Sequence, residues 1–267
     1  MNEPRRAPAQ TVLTVESVET LSPHMIRVVA GGAGFGSFNT NEFSDRYVKL
    51  FFAPSGSSLV PPFDIAEIRA TLPHEQWPIV RTYTVRWVDV RNQRLAIDFV
   101  IHGDEGVAGP WAASAQPGDV LVLSGPGGGY APDPDADWHL FIGDESALPA
   151  IAAGLEALDR EASGIAIIEV SDETGIQDVA APAGIDLRWI ITGEQTLAAA
   201  LVESSWPAGD VQVFAHGERE AMKELRAVFS ERGVERSRLS LSGYWARGRT
   251  EDRFQAEKRE PIGRILD

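Results

Sequence analysis

Residues 81–86, Arg-Thr-Tyr-Thr-Val-Arg, combine three side-chain types that suit a flat ligand carrying phosphate. The stretch is typical of an extended strand, in which residues two apart share a face. Arg81 and Tyr83 then point to one side, and Thr82 and Thr84 to the other. A guanidinium offers a planar fork to a pyrophosphate, a tyrosine ring offers a stacking surface, and a threonine hydroxyl can bond a ring nitrogen. An ordinary amphipathic strand with a surface arginine is the alternative interpretation.

The loop after the next predicted strand, His102–Ala112, is rich in glycine and includes Gly103 and Gly109. Glycine lets a backbone approach phosphate closely, and a helix that starts at Pro110–Ala112 would aim amide groups at it. Trp111 can pack on an adenine or on the protein itself. A glycine-rich hairpin with no ligand is the simpler interpretation of this loop.

A strand–turn–helix pattern is predicted at residues 143–151, Gly-Asp-Glu-Ser-Ala-Leu-Pro-Ala-Ile. An open α/β sheet holds nucleotides at such a turn. Ser146 can cap the helix, and Pro149 lies in its first turn, where a missing amide proton costs little. Asp144 and Glu145 add negative charge, so they suit ribose hydroxyls or compensation of the helix dipole better than phosphate.

Two further segments follow predicted strands in the second half of the chain. Glu169 lies near a strand end, where an acid can bond a ribose 2′-hydroxyl and disfavour a 2′-phosphate; a solvated acid is an equal alternative. Residues 243–248, Gly-Tyr-Trp-Ala-Arg-Gly, place Tyr244 and Trp245 side by side. This pair can cover the face of a flavin, or it can cap the sheet as part of the core.

The composition excludes several classes of function. The chain has 267 residues, 43% hydrophobic and 24% charged, as expected for a globular protein of one large or two ordinary domains. It has no cysteine and five scattered histidines, which excludes disulfides, a catalytic thiolate and cysteine-ligated metals and predicts no resident metal site. A net charge of −15 disfavours nucleic acid and anionic membrane surfaces. We expect a cytoplasmic protein, because neither a signal sequence nor a membrane-spanning apolar run is found.

Apolar periodicity predicts two different halves. Short strands without regular helices favour a small antiparallel barrel first, with a short helix around Asp64–Thr71. Beyond the Pro/Asp stretch at Pro132–Asp135, strands and helices alternate, which indicates a parallel sheet with crossover helices. The strands predicted first are Thr11–Glu19, His24–Gly31, Arg46–Ala53, Arg81–Asp89, Arg94–His102 and Asp119–Ser124. The later strands are Trp138–Ile142, Ile165–Val170, Leu187–Ile191, Val211–Ala215 and Leu239–Ser242; the helices are Ala147–Arg160, Glu194–Ser204 and Arg219–Arg232, with a charged helical tail after Gly248.

Taken in order, these segments resemble the siderophore-interacting protein family, the flavin-dependent ferric-siderophore reductases. The run at 143–151 and the Gly-Tyr-Trp at 243–245 are the most specific elements, and the resemblance covers roughly residues 10–250. The chain departs from the family at Val107–Pro110, because the family commonly has Gly-Pro-Ala-Ser/Ala before its Trp-Ala pair.

The resemblance implies a fold of β followed by α/β type. Residues 1–130 would form a six-stranded antiparallel Greek-key barrel that binds FAD, and residues 131–267 a Rossmann-like parallel α/β domain that resembles NAD(P)H-binding domains. It also implies reduction of Fe(III) held by a siderophore to Fe(II), with FAD as cofactor and NADH, NADPH or ferredoxin as donor. A generic ferredoxin-reductase-like flavin reductase and a non-enzymatic iron-chelate binder are the alternatives.

The same resemblance assigns residues to two groups and requires no catalytic side chain. If Val48, Leu50 and Phe52 face the core of strand Arg46–Ala53, Lys49 points out toward the edge of the flavin. The candidates for a basic cluster that receives an anionic iron chelate are Lys49, Arg247 and Lys258, with solvated surface cations as the alternative. The candidates for cofactor binding are Arg81, Thr82, Tyr83, Thr84, His102, Gly103, Gly109, Trp111, Ala112, Asp144, Ser146, Ala147, Tyr244 and Trp245.

Overall fold

The computed structural model describes residues 9–101 and 106–265, which divide into two compact units. The first unit runs through Gly128, except for Phe43–Asp45, which belong with the chain from Gly129 onward. Among the described residues, no helix combines the length and the apolar composition that a membrane crossing requires.

The first unit is a closed barrel of six antiparallel strands in the order β1-β2-β5-β4-β3-β6. This order confirms the Greek-key barrel predicted from the sequence. Alternation along β3 produces the interior, since Val48, Leu50 and Phe52 are buried while Tyr47 is exposed. The strands are β1 (Gln10–Ser22), β2 (Met25–Gly31), β3 (Tyr47–Phe52), β4 (Ile79–Asp89), β5 (Arg94–Val100) and β6 (Val120–Gly127).

Two short helices accompany the barrel. Helix α1 (Ile65–Thr71) agrees with the short helix predicted around Asp64–Thr71. The Asp64 carboxylate caps it by accepting hydrogen bonds from the Ala66 and Glu67 amides. Helix α2 (Ala108–Ser114) begins two residues before the predicted start at Pro110. Pro110 is nevertheless tolerated, because it lies in the first helical turn, where the backbone amides have no partner within the helix.

The second unit is a five-stranded parallel sheet in the order β11-β10-β7-β8-β9. The predicted Rossmann-like α/β architecture is therefore confirmed. The central strand β7 is buried along its whole length, as a strand covered on both faces must be. The strands are β7 (Trp138–Asp144), β8 (Ser163–Val170), β9 (Gly184–Ile191), β10 (Val211–Glu218) and β11 (Leu239–Trp245).

The helices of this unit connect or follow these strands. The helix predicted to reach Arg160 ends at Glu156, because the chain turns at Asp159, whose carbonyl accepts a hydrogen bond from Ala162 (3.0 Å), before β8 begins. The charged tail after Gly248 contains a helix, in agreement with the prediction. The helices are α3 (Leu148–Glu156), α4 (Leu197–Glu203), α5 (Arg219–Glu231) and α6 (Glu251–Glu257).

Glu257 attaches this tail to the sheet unit. Its buried carboxylate accepts hydrogen bonds from Arg219 Nη1 (2.6 Å), Arg249 Nε (2.8 Å) and Arg253 Nε (2.8 Å). The bond from Arg219, assisted by the other two guanidinium groups, lowers the pKa of Glu257 to about 2. The first residue of α5 and the last residue of α6 are thus joined by a buried ion pair.

Candidate functional site

The pairing of β3 with β4 determines which side chains share a face of the barrel wall. Lys49 lies opposite Thr82, and Tyr47 lies opposite Thr84. On the alternate face, Tyr83 lies opposite the buried Val48. Opposed residues of antiparallel strands project to the same side, so Arg81 and Tyr83 share the core-facing side of β4 while Thr82 and Thr84 lie on its other side.

Tyr83 continues an aromatic chain that begins in the barrel core. Its ring centroid lies 4.6 Å from that of the fully buried Phe99, which lies 5.6 Å from Trp111. Trp111 also contacts Phe52, at 5.5 Å, so its indole packs on the barrel, and the Ala112 methyl is fully buried beside it. Tyr83, unlike Phe99, is only half-buried, and its ring therefore keeps surface for a ligand to stack on.

Three polar groups accompany Tyr83 on β4. Arg81 is half-buried and donates from Nη1 to its neighbour's carbonyl, Val80 O, at 2.8 Å. Thr84 is buried. Thr82 Oγ1 accepts a hydrogen bond from Lys49 Nζ at 2.5 Å. The strand thus offers a cation and a partly open ring on one side and two hydroxyls on the other, and these are the kinds of group that a flavin nucleotide contacts.

Other predicted members of this site are placed less directly. Gly109 lies in the first turn of α2, next to the barrel core. His102 and Gly103 lie outside the described residues. The sequence analysis did not single out Arg46, which is half-buried immediately before β3, and burial lowers the pKa of its guanidinium.

In the second unit, the Asp144 carboxylate connects three strand ends. Oδ1 accepts hydrogen bonds from the Ser146 amide (2.9 Å) and the Ser146 hydroxyl (2.5 Å). Oδ2 accepts from the Glu218 amide (2.8 Å) and from Trp245 Nε1 (2.8 Å). The carboxyl ends of β7, β10 and β11 therefore meet at one buried acid. Burial raises the pKa of Asp144, although each of the four hydrogen bonds acts to lower it.

Glycine is required where β10 passes Asp144. Gly217 has a φ of +152°, and a Cβ there would lie 2.7 Å from Asp144 Oδ2. The close approach lets the Glu218 amide reach the carboxylate. Ser146 was predicted to cap α3, and this prediction is wrong: its hydroxyl donates to Asp144, while Ala147 occupies the cap position without a side-chain bond.

Two more acids lie beside Asp144. Glu145 is buried and accepts a hydrogen bond from Ser171 Oγ at 2.7 Å. Glu169, opposite Asp144 near the carboxyl end of β8, accepts one from Thr192 Oγ1 at 2.9 Å. Burial raises the pKa of Glu169, the Asp144 charge adds to that increase, and Arg247 opposes it. Glu169 lies at the carboxyl ends of the parallel strands, where open α/β sheets bind their ligands.

The sequence analysis overlooked Glu218. Its Oε2 accepts hydrogen bonds from the first amides of α5, and its Oε1 accepts from the Arg247 amide at 3.0 Å. One residue thus caps a helix and holds the backbone next to the Tyr244–Trp245 pair. Glutamate is not a preferred N-cap, so local sequence carried no signal for this role.

A buried histidine of β10 lies between Phe214 of the same strand and Tyr244 of β11. His216 stacks on Phe214 with ring centroids 4.0 Å apart, meets Tyr244 edge-on at 4.9 Å and shares a hydrogen bond of 2.9 Å with Ser240 Oγ. Burial, reinforced by the charge of Lys258, lowers its pKa to about 3, so the ring is neutral. The Lys258 ammonium itself lies 4.7 Å from the centroid of the Phe254 ring.

Comparison with known proteins agrees with these features. Residues 14–130 match the model of the siderophore-interacting FAD-binding domain, and residues 136–248 match that of the siderophore-interacting protein. The chain is 33% identical to the ferric vibriobactin reductase ViuB of Vibrio cholerae over 248 residues, 89% of this chain and 90% of that one. It is 34% identical to the NADPH-dependent ferric-chelate reductase of Escherichia coli over 236 residues, covering 87% and 91% of the two chains.

A solved structure shares the fold. The siderophore utilization protein from T. fusca superimposes with a TM-score of 0.78 at 36% identity, covering 91% of this chain and 94% of that one. The family models together match both units, and they extend over well more than half of the sequence. The chain therefore belongs to the siderophore-interacting protein family.

Proposed function

We propose that the protein is an FAD-dependent reductase of ferric siderophores, acting in the cytoplasm. One observation carries the proposal: strand β4 presents Arg81, Tyr83 and Thr84 within the segment that matches a siderophore-interacting FAD-binding domain. The names of the Vibrio cholerae and Escherichia coli relatives, both ferric reductases, support the same activity.

The balance of the reaction explains why no acid, base or nucleophile is needed. One NADH or NADPH loses a hydride, equivalent to two electrons and a proton; two Fe(III) chelates each gain one electron, and the proton is released to solvent. Bound FAD supplies the conversion between a two-electron donor and a one-electron acceptor. Siderophores hold Fe(II) far more weakly than Fe(III), so reduction releases the iron. A ferredoxin in place of the nucleotide would supply its electrons one at a time.

The side chains of β4 would bind and orient the cofactor. In this proposal Arg81 pairs with the pyrophosphate, Tyr83 stacks on the ring system, and Thr84 bonds near the ring nitrogen N5. The glycine-containing turn before Trp111 adds backbone contacts to phosphate. Support comes from the partial exposure of Arg81 and Tyr83 beside an otherwise closed core.

Three cations are proposed to receive the iron chelate. Lys49, Arg247 and Lys258 are the candidates, because an anionic chelate needs local positive charge in a chain whose net charge is −15. At the sheet edge, Glu169 would bond the ribose 2′-hydroxyl of the nucleotide, and Asp144 and Ser146 would shape the turn that receives it.

An anaerobic turnover assay tests the proposal. FAD-loaded protein is mixed with NADH or NADPH, a panel of ferric siderophores and a chelator that traps Fe(II), and the trapped complex is followed by absorbance. We expect faster turnover with at least one ferric siderophore than with free flavin as acceptor. Faster turnover with free flavin would indicate a generic flavin reductase, and a colourless protein that cannot be reconstituted with FAD would indicate a binding protein.

A further inference from the structure

Lys49 and Thr82 form a side-chain pair on the outer side of the β3–β4 ladder. They lie directly opposite each other in the antiparallel register, and Lys49 Nζ donates a hydrogen bond to Thr82 Oγ1 at 2.5 Å. The two strands therefore fix both ends of the bond. Although Thr82 stands between Arg81 and Tyr83 in the sequence, its side chain lies on the opposite side of the strand from both.

The groups that hold the Lys49 ammonium leave its charge intact. One is the Thr82 hydroxyl, and the other is the Tyr47 ring, whose centroid lies 5.9 Å from Nζ, within cation–π range. In the described part of the chain, no carboxylate lies within 4.0 Å of Nζ. Lys49 is thus restrained by two uncharged groups in a protein whose net charge is −15.

Restraint without neutralisation matters for a lysine that binds an anion. A lysine side chain has four flexible bonds and loses much conformational entropy when a ligand fixes it. A hydrogen-bond acceptor that holds the ammonium before the ligand arrives reduces this entropy loss, but an aspartate in that role would also neutralise the positive charge. A threonine hydroxyl holds the ammonium and leaves its charge unchanged.

We propose that Thr82 is a positioning residue, which holds the Lys49 ammonium ready for an anionic ferric chelate. The inference depends on the proposed function, in which Lys49 receives the chelate. Because the ammonium acts through charge, the pair discriminates anionic chelates from uncharged ones. Thr82 thereby contributes to substrate specificity without contacting the iron chelate itself.

The test uses FAD-loaded protein in five forms: wild type, Thr82→Val, Thr82→Ser, Lys49→Ala and the double variant Lys49→Ala/Thr82→Val. Initial rates are measured with ferric dicitrate as the anionic chelate and ferrichrome as the uncharged one, with an Fe(II) trap. Thr14→Val, which alters an exposed threonine on β1, is the matched control. The bound FAD of each variant is quantified before the assay.

We expect Thr82→Val to raise the KM for ferric dicitrate roughly three- to tenfold, and by much less for ferrichrome. Thr82→Ser, which keeps the hydroxyl, should remain within about twofold of the wild type. Adding Thr82→Val to Lys49→Ala should have little further effect, since the threonine acts through the lysine.

Other outcomes overturn the inference in distinguishable ways. If Lys49→Ala raises the KM for ferric dicitrate but Thr82→Val does not, Thr82 is no positioning residue, while the proposed function stands. If Lys49→Ala has no effect, the chelate site of the proposed function is misplaced and the inference is lost with it. Equal losses with both chelates, or loss of FAD from Thr82→Val, would show that the hydroxyl serves the flavin or the strand instead.

Discussion

Trp245 Nε1 donates a hydrogen bond to Asp144 Oδ2 at 2.8 Å. The bond holds the indole at the end of β11 against the buried carboxylate at the end of β7. The Glu218 amide shares the same oxygen. An amide nitrogen in place of this oxygen would face two donors and accept from neither. The arrangement therefore requires a carboxylate, and a carboxamide of the same shape cannot replace it.

Asp144→Asn should destabilise the protein by about 2–4 kcal/mol, because two donors lose the buried carboxylate oxygen that accepts from both. Trp245→Phe removes one donor and leaves three bonds to the acid, so about 1 kcal/mol is expected. Chemical denaturation monitored by far-UV circular dichroism measures both. Equal stability of Asp144→Asn and the wild type would contradict the role assigned to the carboxylate.

Arg81→Ala should purify largely free of flavin. A charge-assisted bond to phosphate contributes roughly 1.5–3 kcal/mol, so its loss weakens FAD binding about ten- to a hundredfold. The ratio of flavin absorbance to protein absorbance gives the occupancy, and titration with FAD gives the affinity. Arg91→Ala, on an exposed turn of the same barrel, is the control and should keep its flavin. Full occupancy of Arg81→Ala would show that another group holds the pyrophosphate.

If a nicotinamide donor is used, NADH should reduce the flavin at least as well as NADPH. Glu169 at the sheet edge carries a carboxylate that would repel a 2′-phosphate. The Escherichia coli relative is named for NADPH, so the expectation is specific to this chain. Stopped-flow reduction with each nucleotide measures the preference, and Glu169→Gln should shift it toward NADPH by roughly three- to tenfold. Glu161→Gln, an exposed acid two residues before β8, serves as control. A strong wild-type preference for NADPH would reject the argument.

Lys49→Ala and Arg247→Ala should each raise the KM for an anionic ferric siderophore, roughly three- to tenfold, while the bound FAD is retained. The effect should be largest at low ionic strength, since salt screens the attraction. Steady-state rates at two salt concentrations measure it, with Arg160→Ala as an exposed control. If both variants match the wild type at low salt, the chelate binds elsewhere.

Glu257→Gln should reduce the loss of stability in acid. The pKa of Glu257 is lowered from 4.5 to about 2 in the folded protein. Its contribution is therefore complete above about pH 4.5 and is lost as the pH falls toward 2. Thermal unfolding at about pH 7, 5 and 3 should show a lower Tm for the variant at neutral pH and a smaller decrease than the wild type between pH 5 and 3. An equal decrease in Tm for the variant and the wild type between pH 5 and 3 would mean that folding does not change the pKa of Glu257.

The barrel and the sheet could be predicted because their signals are local. Alternation in β3 placed Val48, Leu50 and Phe52 together on one face of the strand, and the structure buries that face. The same alternation placed Lys49 on the other side. Strand–helix alternation after Pro132 likewise predicted the parallel sheet.

The chemistry of Asp144 could not be predicted in this way. Two of its partners, Glu218 and Trp245, lie 74 and 101 residues away along the chain. Local reasoning therefore considered only the turn that follows β7 and offered ribose binding or dipole compensation. Likewise, the neutral state of His216 depends on burial between Phe214 and Tyr244, which no local pattern reveals. The ribose role of Asp144 stays a prediction.

The buried ion pair between Arg219 and Glu257 has a practical consequence for how the protein can be shortened. The family match ends at residue 248, so a boundary chosen from that match would delete Glu257 together with α6. The Arg219 guanidinium, 4% exposed in the intact chain, would then lose its buried counter-ion and, among the described residues, keep only the surface carboxylate of Glu220 as an ion-pair partner. An uncompensated buried cation is strongly destabilising. The segment beyond the family match is thus an integral part of the sheet unit, and a truncation there removes a structural counter-charge, not a dispensable tail.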